Sequence, residues 1–371
     1  MKINLANTVE DEVMEESRKR YRQLDYAKAL GILLVVLGHT IYEISKNGIN
    51  TNFGNHLNNW IYCFHMPLFF VLSGLGLYLK YKEYKSIDFF KEINNLSQKL
   101  LIPYAFWSFF YLIGTILSSV VITKKIIISM ILGRIYSFIT LRGAAPIWFL
   151  SALFLANIAY LYMMDSRLFK NKPIICHILL LPFLFCITIV LHNWFYVNKP
   201  ILANIYLYPL TTIFRFFPSI FFIEIGYLFG LFWERLLHSK RIIILFYFLF
   251  FTTLFSITKL IFNCSMNMHT FDYNNVSIIL ILGILGSFSI ILFCILLPNN
   301  LNSLTYIGKN SMDIMNLHYP PMPTLNVVCF VFTKLQLGLC FGSITIVTTA
   351  LCLTISNYIL QPIRKKFKVR L

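Results

Sequence analysis

The stretch Ala27-Lys28-Ala29-Leu30-Gly31-Ile32-Leu33-Leu34-Val35-Val36-Leu37-Gly38-His39-Thr40-Ile41-Tyr42-Glu43-Ile44 contains only Lys28, His39 and Glu43 as groups that charge near neutral pH. About 20 mostly apolar residues cross a hydrocarbon core of about 30 Å, so this run reads as a transmembrane helix. Similar runs follow at Leu57–Leu79, Leu100–Ile122, Ile147–Met164, Ile174–Leu191, Thr212–Trp233, Ile242–Phe262, Val276–Leu297, Thr305–Thr333 and Leu337–Leu360. The ninth is interrupted by Pro320, Pro321 and Pro323. The sequence therefore predicts an all-α polytopic membrane protein of about ten helices. Ile126–Ile139, interrupted by Gly133 and Arg134, and Tyr196–Leu210, with Pro200 and Pro209, read as re-entrant or interfacial pieces. Composition agrees: of 371 residues 58% are hydrophobic, 17% aromatic and 13% charged, with mean hydropathy +0.70. A soluble domain is about 45–50% apolar and about 25% charged. Such a chain cannot cover itself with polar groups, which excludes a soluble enzyme, a disordered protein and a fibrous repeat.

The net charge of +17 would suggest nucleic acid in a soluble protein. In a membrane protein, basic cytoplasmic loops explain it better. With the N-terminus inside, 23 of the 32 Lys and Arg residues fall on the inner side, so both termini are expected in the cytoplasm and nucleic acid is not needed as a partner. Lys124, Lys125, Arg134 and Arg142 break the rule, since all lie in the third, nominally outer, connection. The charge-rich start of the chain lacks a cleavable-signal pattern, so the first helix is expected to be retained. The expected organisation is a cytoplasmic segment 1–23, a single transmembrane domain 24–361 with no internal repeat, and a basic tail 362–371. The eight cysteines form no C-x-x-C pair and mostly lie in apolar runs, which argues against metal or disulfide roles.

Ionisable groups within a bilayer are costly and mark candidate functional sites. Lys28 and His39 are eleven residues apart, 20° past three full turns, so they share one helix face about 16 Å apart. Asp25 lies one turn before Lys28 and can pair with it. His65 in the second span, and His318 in Asn316-Leu317-His318 of the ninth, stand within one or two turns of the height of His39. Glu224 sits mid-membrane, and Arg215, nine residues away, faces the opposite side and can snorkel to the interface. Pro67 frees a carbonyl near Cys63, while Ser73, Gly74 and Gly76 allow close helix approach. Trp148 and the tyrosines at span ends read as aromatic-belt residues. A cation at the cytoplasmic mouth can hold a phosphorylated donor, and an imidazole in the outer half can act as base or acyl carrier for an external hydroxyl. Coenzyme A, with phosphates at one end and a thioester at the other, fits a donor threaded along this helix.

Leu24-Asp25-Tyr26-Ala27-Lys28 … Leu37-Gly38-His39-Thr40 resembles the first-helix signature of the acyltransferase 3 family, the integral-membrane O-acyltransferases that decorate bacterial surface polysaccharides. Phe64-His65-Met66-Pro67-Leu68-Phe69-Phe70 resembles its second-helix motif, and Lys99-Leu100-Leu101-Ile102-Pro103-Tyr104 its third-helix entry. Trp148-Phe149-Leu150-Ser151 and Ile307-Gly308-Lys309-Asn310-Ser311 … Leu317-His318 are similar to later landmarks. The resemblance implies about ten spans, a cytoplasmic acyl-CoA co-substrate (acetyl-CoA in the first instance) rather than a permanently bound cofactor, and a surface polysaccharide or lipid-linked glycan acceptor. It places such a protein among the lipids of the bacterial inner membrane. His39 matches the essential histidine. Lys28 and Lys99 stand where Arg is frequent, which keeps the charge but loses the bidentate fork. This pattern is similar to the branch containing fucose 4-O-acetylases and poly-N-acetylglucosamine O-succinyltransferases. The expected roles are His39 as base or acyl acceptor with His65 beside it, and Asp25 orienting Lys28. Lys28 and Lys99 are expected on the donor phosphates, and Trp148, Arg215, Glu224, Asn316 and His318 around the acceptor, with no metal. The alternative is a transporter or flippase of polar lipid-linked sugars, although the inverted or parallel repeats common in such proteins are not evident.

Overall fold

The computed structural model describes residues 21–46, 52–84, 88–125, 127–202, 208–319, 324–334 and 340–367. Much of the expected N-terminal segment (1–20), Pro320, Pro321 and Pro323, the last residues of the tail (368–371) and the basic residues Lys2, Arg18, Lys19, Arg20, Lys85, Lys368 and Arg370 lie outside the described residues. The protein is an all-α polytopic membrane protein. Nine helical stretches among the described residues are long and apolar enough to span. Helices satisfy every internal backbone group, which a bilayer demands.

In chain order the helices are α1 (Arg22–Lys46), α2 (Asn52–Tyr62), α3 (His65–Tyr84), α4 (Phe89–Leu96), α5 (Ile102–Thr123) and α6 (Ile128–Ile139). Next come α7 (Trp148–Asp165), α8 (Arg167–Asn171), α9 (Pro173–Leu202), α10 (Tyr208–Leu237) and α11 (Arg241–Ile261). A two-stranded hairpin, β1 (Met266–Asn267) with β2 (Asp272–Tyr273), precedes α12 (Val276–Leu296). The chain then forms α13 (Asn302–Lys309), α14 (Ser311–Leu317), α15 (Thr324–Lys334), α16 (Phe341–Ile355) and α17 (Gln361–Phe367). α2 with α3, α4 with α5, and α16 with α17 each make one spanning stretch.

Two expectations change. Thr305–Thr333 is not one span but the three short helices α13, α14 and α15. Asn310 ends α13 with a non-helical ψ of 14°, so the apolar run is cut before its prolines are reached. Within Tyr196–Leu210, the residues from Tyr196 to Leu202 continue α9 and those from Tyr208 begin α10, with 203–207 outside the described residues. Pro200 thus lies near the end of α9, in what reads from sequence as a re-entrant or interfacial piece.

α1 is central and packs against α3, α12, α13, α14, α15 and α16. Its spanning window is 61% buried, as is that of α12, whereas α9 and α11 are 17% buried and present apolar side chains outward, as lipid-facing helices do. The tightest crossing is α3 on α10. A Cβ at Gly74 would lie 1.9 Å from the Ile223 carbonyl oxygen, and one at Gly226 would lie 2.0 Å from that of Val71. Without lipid-driven separation of polar and apolar surfaces, membrane helices associate through such close backbone contact. Gly76, by contrast, has no atom within 4 Å of where its Cβ would stand. It lines a cavity instead of a contact.

The third connection shows where its cations go. α6 is a twelve-residue apolar helix, too short to span, and its following turn is fixed by side chains donating to its carbonyls. Tyr104 donates to Phe138 (2.9 Å), Ser151 to Leu141 (2.7 Å) and Thr212 to Thr140 (3.1 Å). The Arg215 Nη2 donates to both Leu141 and Arg142 at 2.6 Å. Leu141 itself adopts a left-handed φ of 55°, a conformation that costs a branched residue about 1–2 kcal/mol and persists here under this clamp. Arg215 is fully buried, so it does not snorkel. Arg215→Met should destabilise the protein by about 3 kcal/mol, the scale of losing charged hydrogen bonds to buried carbonyls. A lower unfolding temperature in detergent, with new protease cleavage between residues 140 and 147, checks this.

Candidate active site

Two cavities open along α1. The inner one, of about 690 Å³, is lined by Asp25, Lys28 and Ile32 of α1. It also meets Phe69, Ser73 and Gly76 of α3, Lys99, Phe149 and Asn157, and Lys309, Asp313, Met315 and Arg364 from the C-terminal part. Its size falls in the range of about 300–1,000 Å³ typical of ligand pockets. Local backbone breaks build it. Lys99 lies in a π-turn, Ser97–Leu101, that joins α4 to α5. A second π-turn, Ser356–Leu360, joins α16 to α17 and carries Ser356, which donates to Asp313. Such turns insert an extra residue into a helix and frequently mark functional sites. Arg364 also holds Asp313, one nitrogen at 2.9 Å and the second closing a bidentate pair. Gly308 lets α13 lie flush on α1, since a Cβ there would stand 2.0 Å from the Asp25 carbonyl oxygen. Asp25, Lys28 and Lys99, widely separated in sequence, therefore share one cavity. Lys309 and Arg364 join them.

The outer cavity, of about 370 Å³, is lined by Val35, His39 and Tyr42 of α1, and by Asn58, Tyr62, His65 and Met66 of the α2–α3 stretch. Pro146, Trp148, Met315 and Tyr319 complete its walls, together with Met266, Asn267, Met268 and His269 of the hairpin. His39 meets His318 with ring centroids 5.0 Å apart and the edge of Tyr319 at 4.5 Å. The His65 Nδ1 donates to the Ile61 carbonyl, and the His318 Nδ1 to the Ile314 carbonyl, each at 2.9 Å. Those bonds fix both tautomers and leave each Nε2 as a lone-pair acceptor. The first of these reaches back across the α2–α3 break at Cys63–Phe64. Pro67 sits in the first turn of α3, where a missing donor is tolerated.

Polar atoms without partners converge on this cavity. Among the described residues the His39 Nδ1, the Asn58 Oδ1 and the His269 Nε2 are buried and have no hydrogen-bond partner. Burial, followed by the charges of Arg215 and Arg142, pushes the His269 imidazole down to about 3. It is neutral at ordinary pH. Its ring lies parallel to Trp148, 5.8 Å away at 17°. Trp148 is 7% exposed, an interior wall residue instead of an aromatic-belt one.

Arg215, Asn316 and Glu224, also expected in the site, line neither cavity. Arg215 lies over the Trp148 ring at 5.4 Å and lines neither cavity. Asn316 is buried beside Met315, and neither its amide nitrogen nor its oxygen has a partner among the described residues. Glu224 has partners elsewhere. It accepts from Tyr160 at 2.6 Å and pairs with the His177 Nδ1 at 2.8 Å, tying α10 to α7 and α9. Sequence reasoning missed Glu43, buried one turn beyond His39 and bonded by Asn326 at 3.2 Å, although its i,i+4 spacing was visible. It also missed Asn58, Tyr62 and Tyr319. His269 had no local signal, because only the hairpin's tertiary placement brings it here. Among the described residues, no group of three or more His, Cys, Asp or Glu is arranged to hold a metal ion.

The family described as "Acyltransferase domain" matches residues 21–357, nearly the whole chain and every lining residue of both cavities except Arg364. The chain belongs to the acyltransferase 3 family. It is similar to Nodulation protein NolL of Mesorhizobium japonicum, 28% identical over 142 residues, which is 38% of this chain and 35% of the relative. Nodulation protein NolL of Sinorhizobium fredii is 34% identical over 83 residues, 22% of each chain. The chain thus aligns with about a third or less of the length of these relatives. No solved structure matches.

Proposed function

We propose that this membrane protein is an O-acyltransferase of the bacterial inner membrane. It moves an acyl group, in our reading acetyl, from cytoplasmic acyl-CoA to a hydroxyl of a surface or lipid-linked saccharide. One observation carries the reading. A single helix, α1, supplies Lys28 to a cation-lined cavity at one end and His39 to an uncharged, aromatic-walled cavity at the other.

In this reading Lys28 and Lys99 bind the donor phosphates, and Asp25 orients Lys28. The donor's thin arm lies along α1 and brings its thioester carbonyl to His39. The acceptor sugar rests against Trp148, with a hydroxyl within reach of the His39 imidazole. His39 takes the hydroxyl proton as the oxygen attacks the carbonyl carbon. The new C–O bond forms, the C–S bond breaks, and the leaving thiolate takes up the proton as free thiol. Asn58 and His269 accept from other sugar hydroxyls, which answers their lack of partners. His65 and His318 shape the His39 face through fixed tautomers, and Asn316 backs His318. Arg215 acts through Trp148, and Glu224 acts as a brace. A transport reading has no observation of its own in favour.

Surface glycan from strains with and without the gene tests the function. Nuclear magnetic resonance should show O-acyl signals that vanish on deletion and return on complementation. Identical O-acylation in the two strains would overturn it. For the donor site, Lys28→Ala and Lys99→Ala should each raise the KM for acyl-CoA about tenfold or more, the scale of one charge-assisted hydrogen bond. kcat should fall less, and Lys28→Arg should stay active. Steady-state kinetics in nanodiscs measure both.

A further inference from the structure

The two cavities share one lining residue, Met315, at the buried end of the short helix α14. Three other helices pass from lining one cavity to lining the other within a few residues. On α1, Ile32 faces the inner cavity and Val35 the outer. On α3 the pair is Phe69 and Met66, and at the start of α7 it is Phe149 and Trp148. Ile32 to Val35, like Met66 to Phe69, is three residues, or about 4.5 Å of rise. The wall between the donor side and the acceptor side is therefore about one helical turn thick. It is apolar throughout, and Met315 is the side chain exposed to both sides of it. Methionine is unbranched, with a flexible thioether that repacks around what touches it.

We propose that Met315 is the movable part of this wall and sets which acyl groups cross it. The inference rests on the acyltransferase reading above. With Met315 in place the wall closes the path between the compartments. When it swings aside, the opening admits a chain about as thin as an unbranched thioester arm. Selection is thus by girth: acetyl, on a linear arm, passes, and a group branched next to the carbonyl does not. No bond is made or broken at Met315, so it is a specificity-determining residue and not a catalytic one.

The test uses the full-length protein in nanodiscs, with acetyl-CoA and isobutyryl-CoA as donors and the native glycan as acceptor. Met315→Ala should raise the isobutyryl-to-acetyl transfer ratio at least tenfold over wild type. Met315→Trp should lose acetyl transfer at least a hundredfold while binding acetyl-CoA within about threefold of wild type. An unchanged ratio in the first variant together with full activity in the second would overturn the proposal. A separate arm needs no transfer activity. In proteoliposomes, Met315→Cys should be modified by a membrane-impermeant methanethiosulfonate added to either face, with the modified peptide located by mass spectrometry. Modification from one face only, or from neither, would also overturn it. Wild type that transfers neither acyl group would instead remove the acyltransferase reading, and the labelling arm would still judge the wall.

Discussion

His39→Ala is expected to lower acyl transfer by three to four orders of magnitude with no change in the amount or unfolding temperature of the membrane protein. General-base catalysis by a positioned side chain contributes about 10²–10⁴-fold. The upper end fits here because His39 is the imidazole of α1 itself, at the junction of the Tyr319 edge, the His318 ring and the outer cavity. Its Nδ1 has no partner among the described residues, unlike those of His65 and His318, which are committed to backbone carbonyls. One nitrogen spent on the backbone holds a ring in place. A ring without that tie retains capacity to exchange a proton. His65→Ala and His318→Ala should therefore cost less, about ten- to a hundredfold. Transfer of labelled acetyl from CoA to the native glycan, at matched protein levels, measures all three. Near-normal transfer in His39→Ala would remove that residue from the chemistry, and equal losses in the three variants would remove the distinction drawn between them.

Gly226→Ala should be severely damaging for the addition of a single methyl. Its added Cβ would stand 2.0 Å from the Val71 carbonyl oxygen and 2.7 Å from the carbonyl carbon, both backbone atoms that cannot rotate away. α3 and α10 would have to separate along the crossing that also includes Gly74. Overpacking usually costs about 1–3 kcal/mol. A backbone-on-backbone clash at this crossing should reach about 3 kcal/mol or more. α3 carries His65 and Met66 at one end and Ser73 and Gly76 in the other cavity, so both cavities should be distorted together. Poor recovery of monodisperse protein in detergent, with loss of transfer in what remains, is the expected result. Gly76→Ala is the control. That site has open space, and the variant should fold normally.

The nine spanning helices were readable in the sequence because their apolar runs have the length and hydropathy that a membrane-crossing helix needs. The face of α1 bearing Lys28 and His39 followed from helical periodicity alone, and the structure places those two in separate cavities. The level of the three histidines was accessible by counting residues from span ends, and the ring contact of His39 with His318 agrees with it. The failures share one cause. Where a helix is cut by tertiary contacts, hydropathy does not register the cut: Asn310 divides α13 from α14 inside an apolar run. Residue type does not report burial partners either. Glu224 and Arg215 carried the marks of functional charges, yet one binds Tyr160 and His177 and the other two backbone carbonyls. His269 belongs to a loop, and which loop covers which cavity is decided by packing across the whole bundle.

The clamp on the third connection sets an order of events during synthesis. The carbonyls of Leu141 and Arg142 wait for a guanidinium that lies 74 and 73 residues later in the chain. Thr140 likewise waits for Thr212. Ser151 can already satisfy the Leu141 carbonyl, but until α10 emerges and inserts, the Thr140 and Arg142 carbonyls lack these donors and are best kept at the aqueous surface. Trp148 and Pro146 stay out of place with it. The acceptor pocket therefore cannot be assembled in the order in which its residues are translated. A ribosome-bound fragment ending before residue 208 should contain His39 and His65 already in the membrane, with the wall that completes their pocket still undocked.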